Sequence, residues 1–524
     1  MNPSADQPEP APQDDSVLIA ARREKLKRWR EELSVDPYGR RVEGLIPLKA
    51  ARDLFDQPAH EAHKSASEAA RADPSLKIAD SRPRAKVAGR CVQHRAMGKL
   101  VFIVLRDHTG DLQISISKNA VNETAFKIAA KLDYGDIVVA DGPVGMTNNG
   151  EICVWADAFE VHCKSLTPPP EKFHGLQDDE LRYRQRYVDM YANPQTIQTF
   201  QARSRMMSQM RQFMEKRGFL EVETPMMQPL AGGAAARPFM THHNALDMPL
   251  YLRIAPELYL KRLLVGGLPR VFEINRNFRN EGIDKKHNPE FTMMEVYEAF
   301  GDCWTMLELT ESLIHELAVE SGGTSRPFGD LMIDYAKPFR QVKYGDLFET
   351  HFGFAMTDQA QVLATAKKHH VENADKLDHW LLVSALFDAH CEHDIDPTKP
   401  TFVTDFPSAI SPLTRPQPDA PHLSYRWEVF IAGMELANSY TELNDPDVQL
   451  SKFTEQLKGA DDEASTFRNL DMDFINALRV GMPPAGGLGV GIDRLIMLMT
   501  NHQSIRDVIL FPLMRPPPEG GGRE

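Results

Sequence analysis

The stretch Arg270–Phe300, RVFEINRNFRNEGIDKKHNPEFTMMEVYEAF, decides how the rest of the chain is read. From Val271 to Arg279 the apolar side chains of Phe272, Ile274 and Phe278 fall on one face, with Glu273, Asn275, Asn277 and Arg279 on the other. From Phe291 the alternation resumes: Phe291, Met293, Glu295, Tyr297 and Ala299 share one face, and Thr292, Met294, Val296, Glu298 and Phe300 the other. A period of two is the signature of a strand, so the stretch predicts two strands joined by a polar loop. One face sets an aromatic ring, a carboxylate and a phenol in line. A surface built only as core would not carry Glu295. One built only for water would not need Phe291 and Tyr297. That is the make-up of a pocket floor.

Around this hairpin, 524 residues leave room for two or three domains. A hydrophobic content of 42% and a charged content of 26% describe an ordinary soluble protein. No apolar run reaches the ~18 residues of a membrane span. The first twenty residues hold Pro and Asp where a secretory signal would have a charged start and an apolar core. Cys91, Cys153, Cys163, Cys303 and Cys391 are scattered, odd in number and free of CxxC spacing, which predicts a reduced, cytoplasmic protein without structural zinc. The net charge of −14 speaks mildly against a nucleic-acid partner, but Arg82 to Lys99 holds six Lys or Arg and no acid. Such a local basic face can act on an acidic protein.

Residues 1–15 form a Pro/Asp-rich tail, and Ser16 to Leu33 predicts a helix with a basic surface, within an N-terminal extension that reaches residue 80. From Val87 the pattern changes to short strands: VAGRCVQ, LVFIVLRD, LQISIS, DIVVADGPV and EICVWADAFEVH. Five strands separated by turn signals predict a small barrel over 81–165, of which the oligonucleotide-binding (OB) type is a frequent example. Phe102, Arg90, Arg95 and Gln113 are candidates there for base stacking and phosphate contact, although periodicity alone favours Phe102 as a core residue. A Pro-rich linker over 166–195 follows. Next come a helix at Arg203–Arg217 stopped by Gly218, the strand FLEVET, and a helical insertion at about 357–400. Strand pattern returns at Thr401 and at Trp427–Glu442. A Gly-rich strand then runs into a helix in GGLGVGIDRLIML, and a tail starts near residue 516.

Three segments carry charge suited to a nucleotide. Arg279 and Arg494 offer rigid forks for phosphate. Glu428, Glu435 and Glu442 recur at intervals of seven. Glu428 and Glu442 share parity with Asn438 and Tyr440, whereas Glu435 needs a turn or bulge to join them. Clustered carboxylates beside phosphate are natural Mg2+ ligands. No GxxxxGK[ST] occurs, which excludes a P-loop, and no GxSxG elbow occurs either.

In its motifs the chain resembles the class II aminoacyl-tRNA synthetases, and within them the lysyl-tRNA synthetases. The helix and strand ending at Pro225, FRNEG…HNPEFTMMEVY and GLGVGIDRLIML match the three motifs of the class. FHGLQDDELRYRQRYVDM, GGAAARPFMTHHNALD and LRIAPELYLKRLLVGG match the lysine enzymes, and the likeness spans about residue 85 to Arg515. The resemblance implies an α+β chain with a catalytic domain over 196–515, an antiparallel sheet flanked by helices, preceded by an anticodon-binding OB-fold barrel. It implies ATP held by Arg279, Arg494, Glu281, His287, Asn288 and Phe291, with Glu428, Glu435 and Glu442 serving Mg2+ and the ATP end. It implies a lysine pocket of Gly233, Glu257, Glu295, Tyr297, Asn438, Tyr440 and Glu442, and anticodon contacts from Arg95, Phe102, Gln113 and Glu151. The partners implied are tRNA(Lys), L-lysine and ATP, in a homodimer with no membrane association. Tyr440 stands where the family's bacterial members usually have Phe. Competing expectations are an aspartate- or asparagine-charging relative, a protein-modifying paralogue and a non-catalytic RNA-binding regulator. Glu257 and Glu295 speak against the first, the barrel against the second, and the retained arginines and carboxylates against the third.

Overall fold

Arg270–Phe300 folds as its alternation predicts. Arg270–Phe278 pairs antiparallel with Glu290–Ala299, setting Val271 opposite Tyr297, Glu273 opposite Glu295 and Asn277 opposite Phe291. The structure is a computed structural model that describes residues 17–73, 75–76, 78–168, 176, 178–234, 236–458 and 470–516. The expected tail at 1–15, the prolines at 169 and 170 of the expected linker, and the C-terminal tail from 517 lie outside the described residues. Two units make up the chain, Met1–Gln198 and Thr199–Glu524.

The first unit is built on a barrel. Arg84–Met97 is long enough to pair with Leu100–Asp107 at one end and with Ile137–Met146 at the other, bending at a bulge between Cys91 and Gln93. Gly110–Ser117 runs parallel to Ile152–Ala156 and completes the ring. Where five strands are expected there are six, because EICVWADAFEVH breaks at Asp157 into Ile152–Ala156 and Ala158–Cys163. The basic helix forms at Val17–Glu31, and it belongs to the barrel's own core. Its Trp29 is buried with Leu48, Ala51 and the barrel's apolar residues. Arg22 donates to the carbonyls of Tyr134, Ser165 and Thr167, and Lys25 lies 2.6 Å from Asp133. Part of the basic surface is therefore turned inward, which a separate extension would not show.

The second unit is organised by an eight-stranded sheet. Its order is Arg340–Lys343, Thr401–Thr404, Arg426–Ile431, Met434–Thr441, Ala485–Gly491, Glu290–Ala299, Arg270–Phe278 and Leu220–Glu221. Only the two end pairings are parallel. One face packs Phe272, Met294, Val296, Leu488, Val490 and Val429 into the main core with the helices Pro194–Lys216, Cys303–Glu320 and Ile492–Thr500. Each large apolar side chain so buried contributes roughly 1.5–3 kcal/mol. The helix expected to start at Arg203 starts at Pro194, a residue suited to a first helical turn. It stops where Gly218 takes φ +79°, as expected. The helical insertion is larger than 357–400. Tyr344–Phe352, Gln359–Lys368 and His379–His390 share one core that includes Val403 and Phe430 of the sheet.

Trp427–Glu442 is a hairpin rather than one strand. Ile431 pairs with Met434 across Ala432 and Gly433, both at positive φ, which is the two-residue turn that favours a tight hairpin. The register then slips by one residue: Val429 opposes Ala437 but Phe430 opposes Glu435. That bulge returns Glu435 to the face of Asn438, whose side-chain amide donates to Glu435 Oε1 at 3.1 Å. Both devices that Glu435 needs are present.

Candidate active site

The open face of the sheet carries a trough. Two rows of residues cross it in register. The first runs Glu273, Glu295, Gly489, Asn438, Glu428, and the second Val271, Tyr297, Gly487, Tyr440, Arg426. The glycine strand occupies the middle of both rows, so the floor has backbone where the walls have side chains. A Cβ on Gly487 would overlap Glu442 Oε1 and lie 2.8 Å from Tyr297 Cε1. Glycine is required there by space rather than by dihedral angle.

Four elements gather carboxylates at the deep end. Glu257 opens the helix Glu257–Val265 and is buried, with Oε1 2.6 Å from Lys261 Nζ and Oε2 accepting the Tyr440 hydroxyl at 2.7 Å. Gly233, at φ +88°, passes so close that an added Cβ would stand 3.3 Å from Glu257 Cβ. Glu442 Oε2 also contacts Lys261 Nζ, while its Oε1 is buried without a hydrogen-bond partner. Burial lifts Glu442 to about 8 while Lys261 pulls it down. Glu295 differs from both. It is 4% exposed and accepts one hydrogen bond, from Tyr297 at 3.3 Å. Burial, then the charge of Glu257, hold its carboxyl well above the usual range, and Arg279 only partly offsets them.

The shallow end is cationic. Arg279 lies with its guanidinium 5.2 Å from the Phe291 ring centre, and its Nε is buried without a partner. Arg494 reaches across the trough: Nη1 donates to the Glu435 carbonyl at 2.5 Å and Nη2 meets His287 Nε2 at 3.1 Å. His287 is steadied by Asp284 at 2.8 Å. Asn288 is buried, donating to the Glu290 carbonyl with its own Oδ1 unpartnered, and Glu281 is exposed on the same loop. Lys286 Nζ ties that loop to the Gly433 carbonyl at 2.9 Å.

The three spaced glutamates part company. Glu428 pairs with Arg426 at 2.5 Å, yet burial, with help from Glu435, raises it to about 8. Glu435 sits beside Arg494, whereas Glu442 is engaged by Lys261 at the other end. Among the described residues no three His, Cys, Asp or Glu side chains form a ready-made metal site. Mg2+ takes one or two carboxylates beside phosphates and keeps several waters. Two crowded carboxylates, Glu428 and Glu435, fit that demand, and Glu442 does not join them.

Sequence reasoning missed several residues. Lys261 had a signal, since Glu257 and Lys261 stand four apart on one helical face. Arg253 had none: it is buried 20 residues before Glu273 and pairs with it at 2.7 Å, while Thr224 donates to the other oxygen at 2.7 Å. Asp493 bonds the Thr292 amide at 2.7 Å and Arg203 at 2.6 Å, fixing the hairpin to two helices. Glu392, in the insertion, is pushed to about 7 by burial, with Asp388 and Glu435 adding and Lys286 and Arg494 opposing.

On the barrel, Arg95 faces Phe102 across neighbouring strands, with the guanidinium 5.6 Å from the ring centre. Gln113 lies one strand further on, opposite Val104. Phe102 and Gln113 are half-buried on the outer face while Val101, Ile103, Leu112 and Ile114 point inward. Glu151 is exposed in the turn before the fifth strand, closed by the Thr147 amide on its carbonyl at 2.9 Å.

An antiparallel sheet with paired arginines over one open face, joined in one chain to an OB barrel, defines a class II tRNA synthetase. A family model described as tRNA synthetases class II (D, K and N) matches residues 178–515, and one described as an OB-fold nucleic acid binding domain matches 85–169. The chain is 46% identical over 510 residues to the lysine–tRNA ligase of Carboxydothermus hydrogenoformans, covering 96% of this chain and 99% of that protein. It is 47% identical over 517 residues to the lysine–tRNA ligase of Pelotomaculum thermopropionicum, covering 96% of each. With that of Paraburkholderia xenovorans it shares 44% over 528 residues, covering 98% of each. The chain belongs to the lysine–tRNA ligase family.

Proposed function

We propose that the protein activates L-lysine with ATP and transfers it to the 3′ end of tRNA(Lys), as a cytoplasmic homodimer. The observation that carries the lysine assignment is Glu295, a buried carboxylate that forms no ion pair among the described residues and stands on a trough wall beside Tyr297. A carboxylate left so is costly unless a cation arrives. An aspartate or asparagine side chain would bring none.

In this reading lysine lies along the glycine floor, its ammonium groups among Glu295, Glu257 and Glu442, with Gly233, Tyr297, Asn438 and Tyr440 completing the wall. ATP lies at the shallow end, its base against Phe291 near Asn288 and Glu281. Its phosphates lie between Arg279 and Arg494, which His287 steadies. Glu428 and Glu435 would hold Mg2+, which supplies positive charge to the phosphates. The substrate carboxylate attacks the α-phosphorus and pyrophosphate leaves. The terminal ribose hydroxyl of the tRNA then attacks the lysyl carbonyl and AMP leaves. Arg279, with an unpartnered buried Nε, is placed to offset charge that develops in the first step. Positioning supplies much of the rest, and no protein nucleophile is needed. In the barrel, Arg95, Phe102, Gln113 and Glu151 take the anticodon.

Dimerisation is supported by apolar exposure on the three-stranded sheet that follows Pro225. Met226, Met227, Met240 and Leu246 are 47%, 57%, 58% and 66% exposed there. A reduced compartment is supported by the free thiols of Cys153, Cys163, Cys303 and Cys391, and no described helix is long and apolar enough to cross a membrane. The test is ATP–pyrophosphate exchange with each of the twenty amino acids. Lysine alone should drive it, with Arg279→Ala inactive but folded. Exchange driven by another amino acid and not by lysine refutes the reading.

A further inference from the structure

Lys261 is wholly buried on the helix Glu257–Val265, and its ammonium is held between Glu257, at 2.6 Å on the same helix, and Glu442, at the end of the strand Met434–Thr441. The rings of Tyr440 and Phe474 stand 5.7 Å and 6.0 Å from Nζ. Burial works against this charge, and the two carboxylates overcome it, so the ammonium is kept above its ordinary range. Lysine is rarely buried completely unless paired. Stability is a poor reason for such an arrangement, because a buried ion pair replaced by apolar side chains of equal volume often leaves a protein as stable or more so. Phe474, Leu258 and Leu478 already furnish apolar surroundings in the same cluster.

The geometry shows what the bridge does. Glu257 has both oxygens committed, one to Lys261 and one to the Tyr440 hydroxyl, so its carboxylate plane is fixed. Glu442 has only Oε2 committed, and Oε1 is left unpartnered over the Gly487 backbone. The trough therefore holds three carboxylates, Glu257, Glu295 and Glu442, and one resident ammonium. With all three ionised the balance is two negative charges, the state a bound dication favours; in the ligand-free trough burial keeps protons on Glu295 and Glu442. Lysine brings two ammonium groups, while its carboxylate goes to the phosphate end.

We propose that Lys261 is a specificity-determining positioning residue: it presents Glu442 Oε1 to the substrate and sets the pocket charge to match the two ammonium groups of lysine. The proposal rests on the pocket reading given above. Without the resident cation, three close carboxylates would hold protons to higher pH, and a protonated carboxyl is a poor partner for an ammonium group. Loss of Lys261 should thus weaken lysine binding most at neutral pH and less as the pH rises.

The test is lysine-dependent ATP–pyrophosphate exchange by the full-length protein carrying Lys261→Met, Lys261→Ala or Glu295→Gln. Lys261→Met should raise the KM for lysine tenfold or more near neutral pH, leave the KM for ATP unchanged, and lose much of that deficit in alkaline buffer. Lys261→Ala should be rescued by added propylammonium and not by 1-propanol, which has the shape without the charge. An unchanged lysine KM and pH profile in Lys261→Met overturns the proposal. So does rescue of Lys261→Ala by neither additive, or by both equally. Should Lys261→Met not fold, the rescue experiment is read alone in the same way. Glu295→Gln separates the two readings. If it raises the lysine KM and Lys261→Met does not, the pocket stands and the role of Lys261 falls; if neither moves it, the pocket reading itself fails.

Discussion

Glu273 and Glu295 stand opposite each other across the central hairpin, and among the described residues Glu273 forms an ion pair while Glu295 forms none. Arg253 neutralises Glu273 from within the fold, at 2.7 Å and out of contact with water. Two carboxylates adjacent in space thus have different tasks. One is a structural anchor that fastens Arg253 to Thr224 and the hairpin. The other is the one the proposed function assigns to the substrate.

For the anchor, Arg253→Met should cost about 3–5 kcal/mol of stability, because it strands a buried charge. Adding Glu273→Gln should recover most of that loss. Urea unfolding of the single and double variants measures both, and a single variant as stable as the parent would contradict the assignment.

For the ligand site, Glu295→Gln should lower lysine-dependent exchange about 100-fold at low lysine, the loss of one charge-assisted contact and its field. The pH dependence has a definite sign. A carboxyl raised in the folded state keeps a proton that the unfolded chain has already released, so the ligand-free protein loses stability as the pH climbs from the ordinary carboxylate range, about 4.3, toward about 8. Over the upper part of that window the KM for lysine should fall, since ionised carboxylates hold the ammonium groups. Thermal melts with and without lysine, beside KM values in the same buffers, test the pair of trends. Glu295→Gln should flatten the melting trend.

Gly487→Ala should raise the KM for lysine about 10- to 100-fold through misplacement of the pocket walls, with the KM for ATP close to that of the parent. The added methyl group meets Glu442 and Tyr297, both at the deep end. Equal effects on both substrates would place the lysine elsewhere.

On the barrel, Phe102→Ala should reduce kcat/KM for tRNA by the worth of one stacked base, about 1–3 kcal/mol, while tRNA-free exchange continues. Steady-state aminoacylation beside exchange makes the comparison. An unaltered kcat/KM would leave Phe102 as an outward-facing packing residue.

What could be foreseen from the chain depended on distance along it. The two strands of the hairpin follow from period-two alternation within one stretch, but the register that sets Glu273 opposite Glu295 does not. On the barrel, periodicity alone favours Phe102 as core, whereas Val101, Ile103 and Ile114 are the buried residues. The requirement that Glu435 have a turn or bulge was visible from parity alone. Its solution was not, because a one-residue slip depends on how two strands meet. Arg253 and Arg203 escaped notice because an arginine in sequence carries no mark of burial; their partners are Glu273 and the far more distant Asp493. Glu392 is visible in sequence only as a neighbour of His390, Cys391 and His393, a set without the spacing of a metal site. It lies in the 3-10 helix Cys391–Asp394, and its closeness to Glu435 and Arg494 comes only from the packing of the insertion on the sheet.

The slip opposite Phe430 has a consequence for how this protein can change. In the proposed function it makes one short hairpin serve two reactants, with Glu435 assigned to the nucleotide end and Asn438 and Tyr440 to the amino acid, all on one side of the hairpin. Deleting Leu436 would restore an unbroken ladder, yet it would part Glu435 from Asn438. The slip is what lets one short hairpin present Glu435 and Asn438 to the same side of the sheet, and smoothing it would turn one of the two to the opposite face.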